Sequence, residues 1–590
     1  METETTQTSR PGGIADGPPT ASWVESSDAY VWPVLKMLGR FEPEELSRLG
    51  DAEVDEEILR LPPDRAQQRI AAYEATIGEL RRAGAEENHF VDHPFRLRLD
   101  LELMIGWLEL ESELLRREDA LLVPCLNPAS MVYMGLAHLL HQQTAEQRRP
   151  AALVRLMRYA GLEPGYPPLA EQAAACIRAR LHRPGLTFPN QADVEGVLAQ
   201  GRHFLEEIPK LFEHCHIRGY EKAYGALREQ IDVYESFLRH QLLPRCREHF
   251  RLPPEVYAMR LRHGGVDMPV EELTSRARVA FRELPGEIAN MARIVAAKRR
   301  FDVTDAASVI RRLDDERLGE EIAAFYRQRL RELERRSARE GFATPPAQGP
   351  RVRLATPAEL AQYRRPHLRG PRVIGNAGER WELVLPAQSP AAAGAEEPAR
   401  GPWFSPAGSW LVAAHEGFPG HGLQYGFMID SGVSLARRIF GYSTATVEGW
   451  AVYAESEALP WLPEESRLLG LRQRLLRATR SFFDPGLQEG RYTPGQVSRS
   501  LRHQLGISAA DAAREVDRCT LRVPGMATCY FCGYCRYVDL RAAVEFALGP
   551  AFDRRRYHDF VLAQGLVPPA LLRKQVLEEF VPQERQPLAA

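Results

Sequence analysis

The sequence predicts a mainly α protein with one small antiparallel β-sheet. Three observations carry that reading. Apolar residues keep helical spacing from about residue 23 to 341, the pattern breaks near residue 350 into short strand-like runs, and helical spacing returns from about 409 to the end. Residues 315–341 show the first pattern well: Leu318, Ile322, Phe325, Leu330 and Leu333 share a helical face, and Gly341 stands where a left-handed stop belongs. Pro- and Gly-marked turns such as "LEPGYPPL" and "RLPPEVY" separate neighbouring helices. Residues 372–374 and 381–385 are the strand candidates, and the Ala/Pro/Gly-rich "AQSPAAAGAEEPARGP" after them reads as a flexible surface insertion. The expected division is a disordered polar tail over 1–22, a helical part over 23–345 and a motif-bearing part over 346–590, the last two forming one unit.

Composition narrows the function classes. A chain of 590 residues fits a large helical enzyme. Its 76 basic and 79 acidic residues give a net charge of −3, which asks for neither nucleic acid nor an anionic membrane. Lysine supplies only Lys36, Lys210, Lys222, Lys298 and Lys574, so arginine clusters are compositional background and carry little weight as anion sites. The most apolar window, 121–140, is interrupted by Pro124, Asn127, Pro128 and Ser130, and reads as buried core rather than a membrane span. Eight cysteines make no disulfide framework, and no apolar segment follows a basic start. A cytoplasmic enzyme is the expectation.

The stretch "AAHEGFPGHGLQ", 413–424, carries the chemistry. It opens like H-E-x-x-H, in which two imidazoles four residues apart share a zinc ion and the intervening glutamate reaches the metal's water. Here His415 and His421 are six apart, which on a regular helix separates them by roughly 240°. Pro419 removes a backbone donor and Gly420 permits unusual backbone angles. The helix should therefore break or bulge, and looping out two residues would return both histidines to one face. Histidines elsewhere, including His138/His141 and His214/His216, read as ordinary surface or core residues, since no acid is placed beside them as Glu416 is beside His415.

Glutamate-ligand zincins take a third ligand from a helix twenty to thirty residues downstream. "TATVEGWAVYAESEAL" supplies Glu448, with Glu455 two turns later on the same face. Burying both acids demands partners, whereas an amphipathic helix would leave both in solvent. The assignment is Glu448 as ligand and Glu455 as the carboxylate that orients a histidine.

Taken together, "HEGFPGHG", "EGWAVYAE", "PGMATCY" and "YHDFVLAQGLVPP" resemble the motifs of the bacterial DUF885 proteins, predicted zinc hydrolases related to the glutamate zincins. The resemblance covers the C-terminal 200 residues well and reaches more weakly into the helical part. It implies a large helical zincin-like fold with a deep cleft, a catalytic Zn2+ held by His415, His421 and Glu448, and Glu416 as general base. It also implies Tyr530 as an oxyanion donor, with core packing as the other reading of that residue. His558 sits where the family has a histidine, in a catalytic or a structural role. The chain departs from the pattern at Gly422, Met526 and Gln488. Gln488 occupies an expected histidine position in "DPGLQ", so a cleft lined by it should favour a substrate uncharged at that point. Cys529, Cys532 and Cys535 invite a metal-cluster reading, but residues three apart on a helix are simply neighbours.

The function expected is a zinc metallopeptidase acting on a peptide or peptide-like small molecule. Two alternatives stay open: the same metal site acting on a non-peptide substrate of a specialised biosynthetic pathway, and a non-catalytic helical binding protein.

Overall fold

A computed structural model gives the fold and describes residues 22–86, 93–319, 321–356, 359–360, 365–376, 378–386 and 401–585. The expected disordered tail falls almost wholly on residues 1–21 and the expected insertion on 387–400, both outside the described residues. The helices that matter below are numbered in chain order. Helices α1 (Ser22–Gly39), α2 (Arg65–Glu86) and α3 (Pro94–Leu121) pack around Val31, Leu35, Tyr73 and Met104. A second core holds α4 (Pro128–Ala137), α5 (Gln191–His214) and α6 (Glu221–Phe237) through Val132, Phe204, Ile208 and Ile231. Three of the residues that interrupt the apolar 121–140 window, Asn127, Pro128 and Ser130, turn out to start α4. Asn127 accepts the N–H of Ser130 at 3.1 Å, and Pro128 takes the first helical position, where no N–H is needed. Among the described residues no helix is long and apolar enough to cross a membrane.

The largest core joins α7 (Val270–Arg299), α8 (Ile322–Arg339), the sheet and the C-terminal helices. Helix α8 lies inside the expected 315–341 segment, and Gly341 ends it with φ 62°. The sheet is small, as expected, but it is mixed rather than antiparallel. Its order is β1 (Arg351–Leu354), β3 (Glu382–Leu385), β2 (His367–Arg369), with β1 parallel and β2 antiparallel to β3. All four residues of the central β3 are buried, which suits a strand covered on both faces. The 372–374 run is not a strand. Val373 and Ile374 donate their N–H groups to the carbonyl of Leu49 at 3.0 and 2.8 Å, so a distant turn has taken up their backbone capacity.

Beyond the sheet come α9 (Pro406–Val412), α10 (His421–Asp430), α11 (Thr444–Ala458), α12 (Glu464–Gln488), α13 (Met526–Leu548) and α14 (Arg554–Leu562). Helix α11 lies along α13, and α12 packs against both α7 and α13. Trp450, Ala451, Val452 and Ala454 put α11 inside the core on several faces at once. The α11–α13 crossing is main chain against main chain. A Cβ on Gly449 would lie 2.5 Å from Gly533 Cα, and one on Gly533 would lie 2.1 Å from the Ala445 carbonyl oxygen. Backbone atoms cannot rotate away, so only glycine allows this approach.

A buried polar node ties the N-terminal helices to the C-terminal half. Asp100 of α3 accepts Arg437 Nε at 2.7 Å and the hydroxyls of Ser27 and Ser434 at 2.7 and 2.6 Å. Arg437 continues to Gln564 at 2.8 Å, and both charged residues are 1% exposed. Removing one member of such a pair strands the other charge. Asp100→Ala is therefore expected to lower unfolding stability by about 3–5 kcal/mol. Adding Arg437→Met should recover much of the loss, which denaturant midpoints of the single and double variants will measure.

Candidate metal centre

Helix α9 runs into a widened π-helical turn, Ala413–Gly417, which carries His415 and Glu416. The winding stops at Phe418, whose backbone is extended, and the Phe418–Pro419 peptide is cis. Phe418 N–H then reaches Ala413 O at 3.1 Å and Gly420 N–H reaches Ala414 O at 2.9 Å, bonds that span five and six residues instead of four. A Cβ on Gly420 would sit 1.9 Å from the His415 carbonyl oxygen, so this position is closed to any larger residue. Trp450 Nε1 pins the turn by donating to Gly420 O at 3.2 Å. Helix α10 restarts at His421. The two extra residues are thus absorbed by the break, and the His415 and His421 rings end with centroids 4.9 Å apart at 77°.

Glu448 and Glu455 of α11 turn inward. Glu448 Oε2 lies 3.2 Å from His415 Nε2 and 3.7 Å from His421 Nε2. Glu455, 2% exposed, lies 3.2 Å from the other nitrogen of His415. Arg477 on α12 clamps Glu455 through both terminal nitrogens, at 2.9 and 3.0 Å. Tyr530 on α13 donates its hydroxyl to Glu448 Oε1 at 2.9 Å. The electrostatics follow these contacts. Burial by itself depresses His415, but hydrogen bonds to Glu448 and Glu455 reverse that and carry it up to about 9. Burial would raise Glu455, yet Arg477 and His415 hold it down at about 2. Glu448 is likewise kept well below the usual carboxylate range, burial being outweighed by the two histidines. Burial and the Glu448 charge both raise Tyr530, so its phenol stays a proton donor.

The arrangement fits a divalent cation. One donor atom each from His415, His421 and Glu448 lies within 4.8 Å of the others. Tetrahedral zinc with bonds near 2.1 Å sets its ligands about 3.4 Å apart, close to the 3.2 and 3.7 Å seen between the glutamate and the imidazoles. Two imidazoles and one carboxylate are a zinc-type donor set with a coordination position left over. Glu455 supports His415 from behind, as carboxylates do for metal-bound histidines. His421 Nδ1, in contrast, is buried and has no hydrogen-bond partner among the described residues. In the apo protein, the proton that His415 holds offsets the carboxylates on either side of it; a metal ion would displace that proton. No other convergent group of three such donors occurs among the described residues.

His415, Glu416, His421, Glu448 and Tyr530 all line one cleft of about 1180 Å³. The family described as bacterial protein of unknown function, DUF885, matches residues 43–576. The chain belongs to the DUF885 family. No curated protein matches it. Two solved structures share the fold. One is a candidate lipoprotein of unknown function from Shewanella oneidensis, 18% identical, with TM-score 0.71 over 94% of this chain and all of that one. The other is a candidate lipoprotein from Colwellia psychrerythraea, also 18% identical, with TM-score 0.73 over 96% of this chain and all of that one.

Two residues expected at the site of this DUF885 chain are not brought to it. Gln488 ends α12, eleven residues or about 16 Å of helix beyond Arg477. Its amide is used up structurally, donating to Cys519 O at 3.2 Å and accepting Leu252 N–H at 3.0 Å. The expected preference for an uncharged substrate, which rested on Gln488, has no support from its position. His558 on α14 is fully buried, with Nδ1 on the Phe342 carbonyl at 2.8 Å and Nε2 on the Tyr453 hydroxyl at 2.7 Å. Burial lowers it to about 3, which makes it a neutral core residue that accepts from Tyr453. Met526 is partly exposed at the start of α13, and Cys529, Cys532 and Cys535 are free thiols packed in the core. Sequence reasoning missed Arg477, because among so many arginines nothing marked the one opposite Glu455.

The Gly449–Gly533 contact sets the spacing of Glu448 and Tyr530. Gly449→Ala should force α11 and α13 apart, costing about 1–3 kcal/mol of stability and lengthening the Tyr530–Glu448 hydrogen bond. Thermal melting and a structure of the variant will show both changes.

Proposed function

We propose that this DUF885 protein is a zinc-dependent hydrolase that cleaves a peptide or peptide-like amide bond in a zincin-like site. The observation that carries the reading is the convergence of His415, His421 and Glu448 on one point, with Glu416 on the same cleft wall. The ion, when bound, would polarise a carbonyl and make a water molecule acidic near neutral pH. Glu416 takes the proton of the attacking water and passes it to the leaving amine. Tyr530, relieved of Glu448 once that carboxylate is engaged elsewhere, can turn its O–H toward the oxyanion that develops on the substrate. Arg477 and Glu455 hold His415 in one orientation throughout. The cleft is larger than most small-molecule pockets, which suits a chain-like substrate. Eight free thiols support a reducing, cytoplasmic setting. Fractionation of the native protein tests that placement against membrane attachment, the alternative suggested by its solved neighbours.

Purified protein is expected to hold one zinc per chain, and Glu448→Ala to lose it while keeping its helical circular dichroism. Glu416→Gln should retain the metal yet lose about 10² to 10⁴ in hydrolysis rate on a mixed peptide library. Metal analysis beside turnover checks both. Normal turnover by metal-loaded Glu416→Gln would overturn the general-base assignment.

A further inference from the structure

The cleft is far more basic than the chain that forms it. Its lining holds ten arginines and Lys210 against six glutamates, in a protein whose net charge is −3. Most of these arginines are neutralised by a carboxylate. Arg477 has Glu455, Arg353 has Glu359 and Glu382, and Arg472 has Asp314. Around Tyr530 the balance fails. Arg480 and Arg518 lie over the Tyr530 ring, 5.4 and 5.8 Å from its centroid. Arg365 lines the same cleft as Arg480 and Tyr530, within electrostatic range of Arg518, Tyr530 and Arg480. Among the described residues only Glu515 answers them, through a two-pronged pair with Arg480 at 2.7 and 2.8 Å. Glu448, also nearby, is engaged with the two histidines. Arg365 has neither a hydrogen-bond acceptor nor an ion-pair partner for its side chain among the described residues, and it stays open to solvent.

Three guanidiniums around one carboxylate leave an excess of positive charge next to the group that touches Glu448. A guanidinium stays protonated at any working pH, so this excess does not titrate away. A bound zinc ion would add to it. Such a site accepts an oxyanion through planar, paired N–H donors. We propose that Arg365, backed by Arg480 and Arg518, binds an oxyanion of the substrate, a terminal carboxylate in the first instance, next to the bond that is cut. The inference deepens the hydrolase reading and rests on it for the location of that bond. An extended chain advances about 3.5 Å per residue, so an anion held beside the Tyr530 ring belongs one or two residues beyond the scissile carbonyl. The enzyme would then trim its substrate near a carboxylate end.

The test separates anion binding from catalysis. Binding of N-benzoyl dipeptides with free and with amidated carboxyl ends is measured calorimetrically on the full chain, chelator-treated and zinc-loaded. The free acids should bind wild type about tenfold more tightly than the amides in both forms. Arg365→Gln, whose solvent-facing position spares the fold, should erase that difference, and Arg365→Lys should restore part of it. A phosphorylated end competing more strongly than a carboxylate would reassign the anion to phosphate and overturn the carboxylate choice. Equal affinity for acids and amides in wild type, or a preference untouched by Arg365→Gln, would overturn the site. Because the readout is affinity, it can fail while hydrolysis stands, and hydrolysis can fail while it stands.

Discussion

Helix α11 carries two carboxylates into the core, and the rest of the site is arranged around that fact. An uncompensated buried carboxylate is among the costliest groups a protein can hold. Glu455 is answered by a two-pronged arginine and by one nitrogen of His415, and Glu448 by the other nitrogen, by His421 and by Tyr530. His415 therefore stands between two carboxylates, which explains both its fixed orientation and its raised pKa. Each of these partners comes from a different element: the π turn, α10, α12 and α13. The charge requirement of one helix thus recruits four others.

The same accounting of charge distinguishes two kinds of arginine in the cleft. Those that face a carboxylate hold the walls together and are no longer available to a ligand. Those around Tyr530 outnumber their carboxylate, so their electrostatic demand is left for whatever enters the cleft. Position, not residue type, decides the role.

Much of the centre was legible in the sequence because local chemistry dictates it. The break between His415 and His421 follows from a proline and a glycine, and the inward turn of Glu448 and Glu455 follows from their spacing on an apolar helix. The mainly α fold and the Gly341 stop were legible for similar reasons. What failed depended on partners distant in the chain. Residues 372–374 look like a strand until Leu49 takes their N–H groups. The sheet's mixed pairing depends on β1, thirty residues away from β3 and without a pattern of its own. Gln488 aligned with a functional position, yet α12 carries it away from the cleft, where Leu252 and Cys519 take up its amide. Arg365 and Arg477 were hidden by the abundance of arginine around them.

The glycine contact between α11 and α13 also bears on how the cleft deforms. With main chain pressed on main chain, Glu448 and Tyr530 have no side-chain cushion between their helices and must move as a single body. The facing wall is built differently. Arg365 lies just before a three-residue strand whose pairing is confined to β3, an element that opens at little cost. On the proposed reading, the reacting groups would sit on a stiff support and the anion contact on a compliant one. A change in the compliant wall can retune which substrate is held without disturbing the atoms that would cut it.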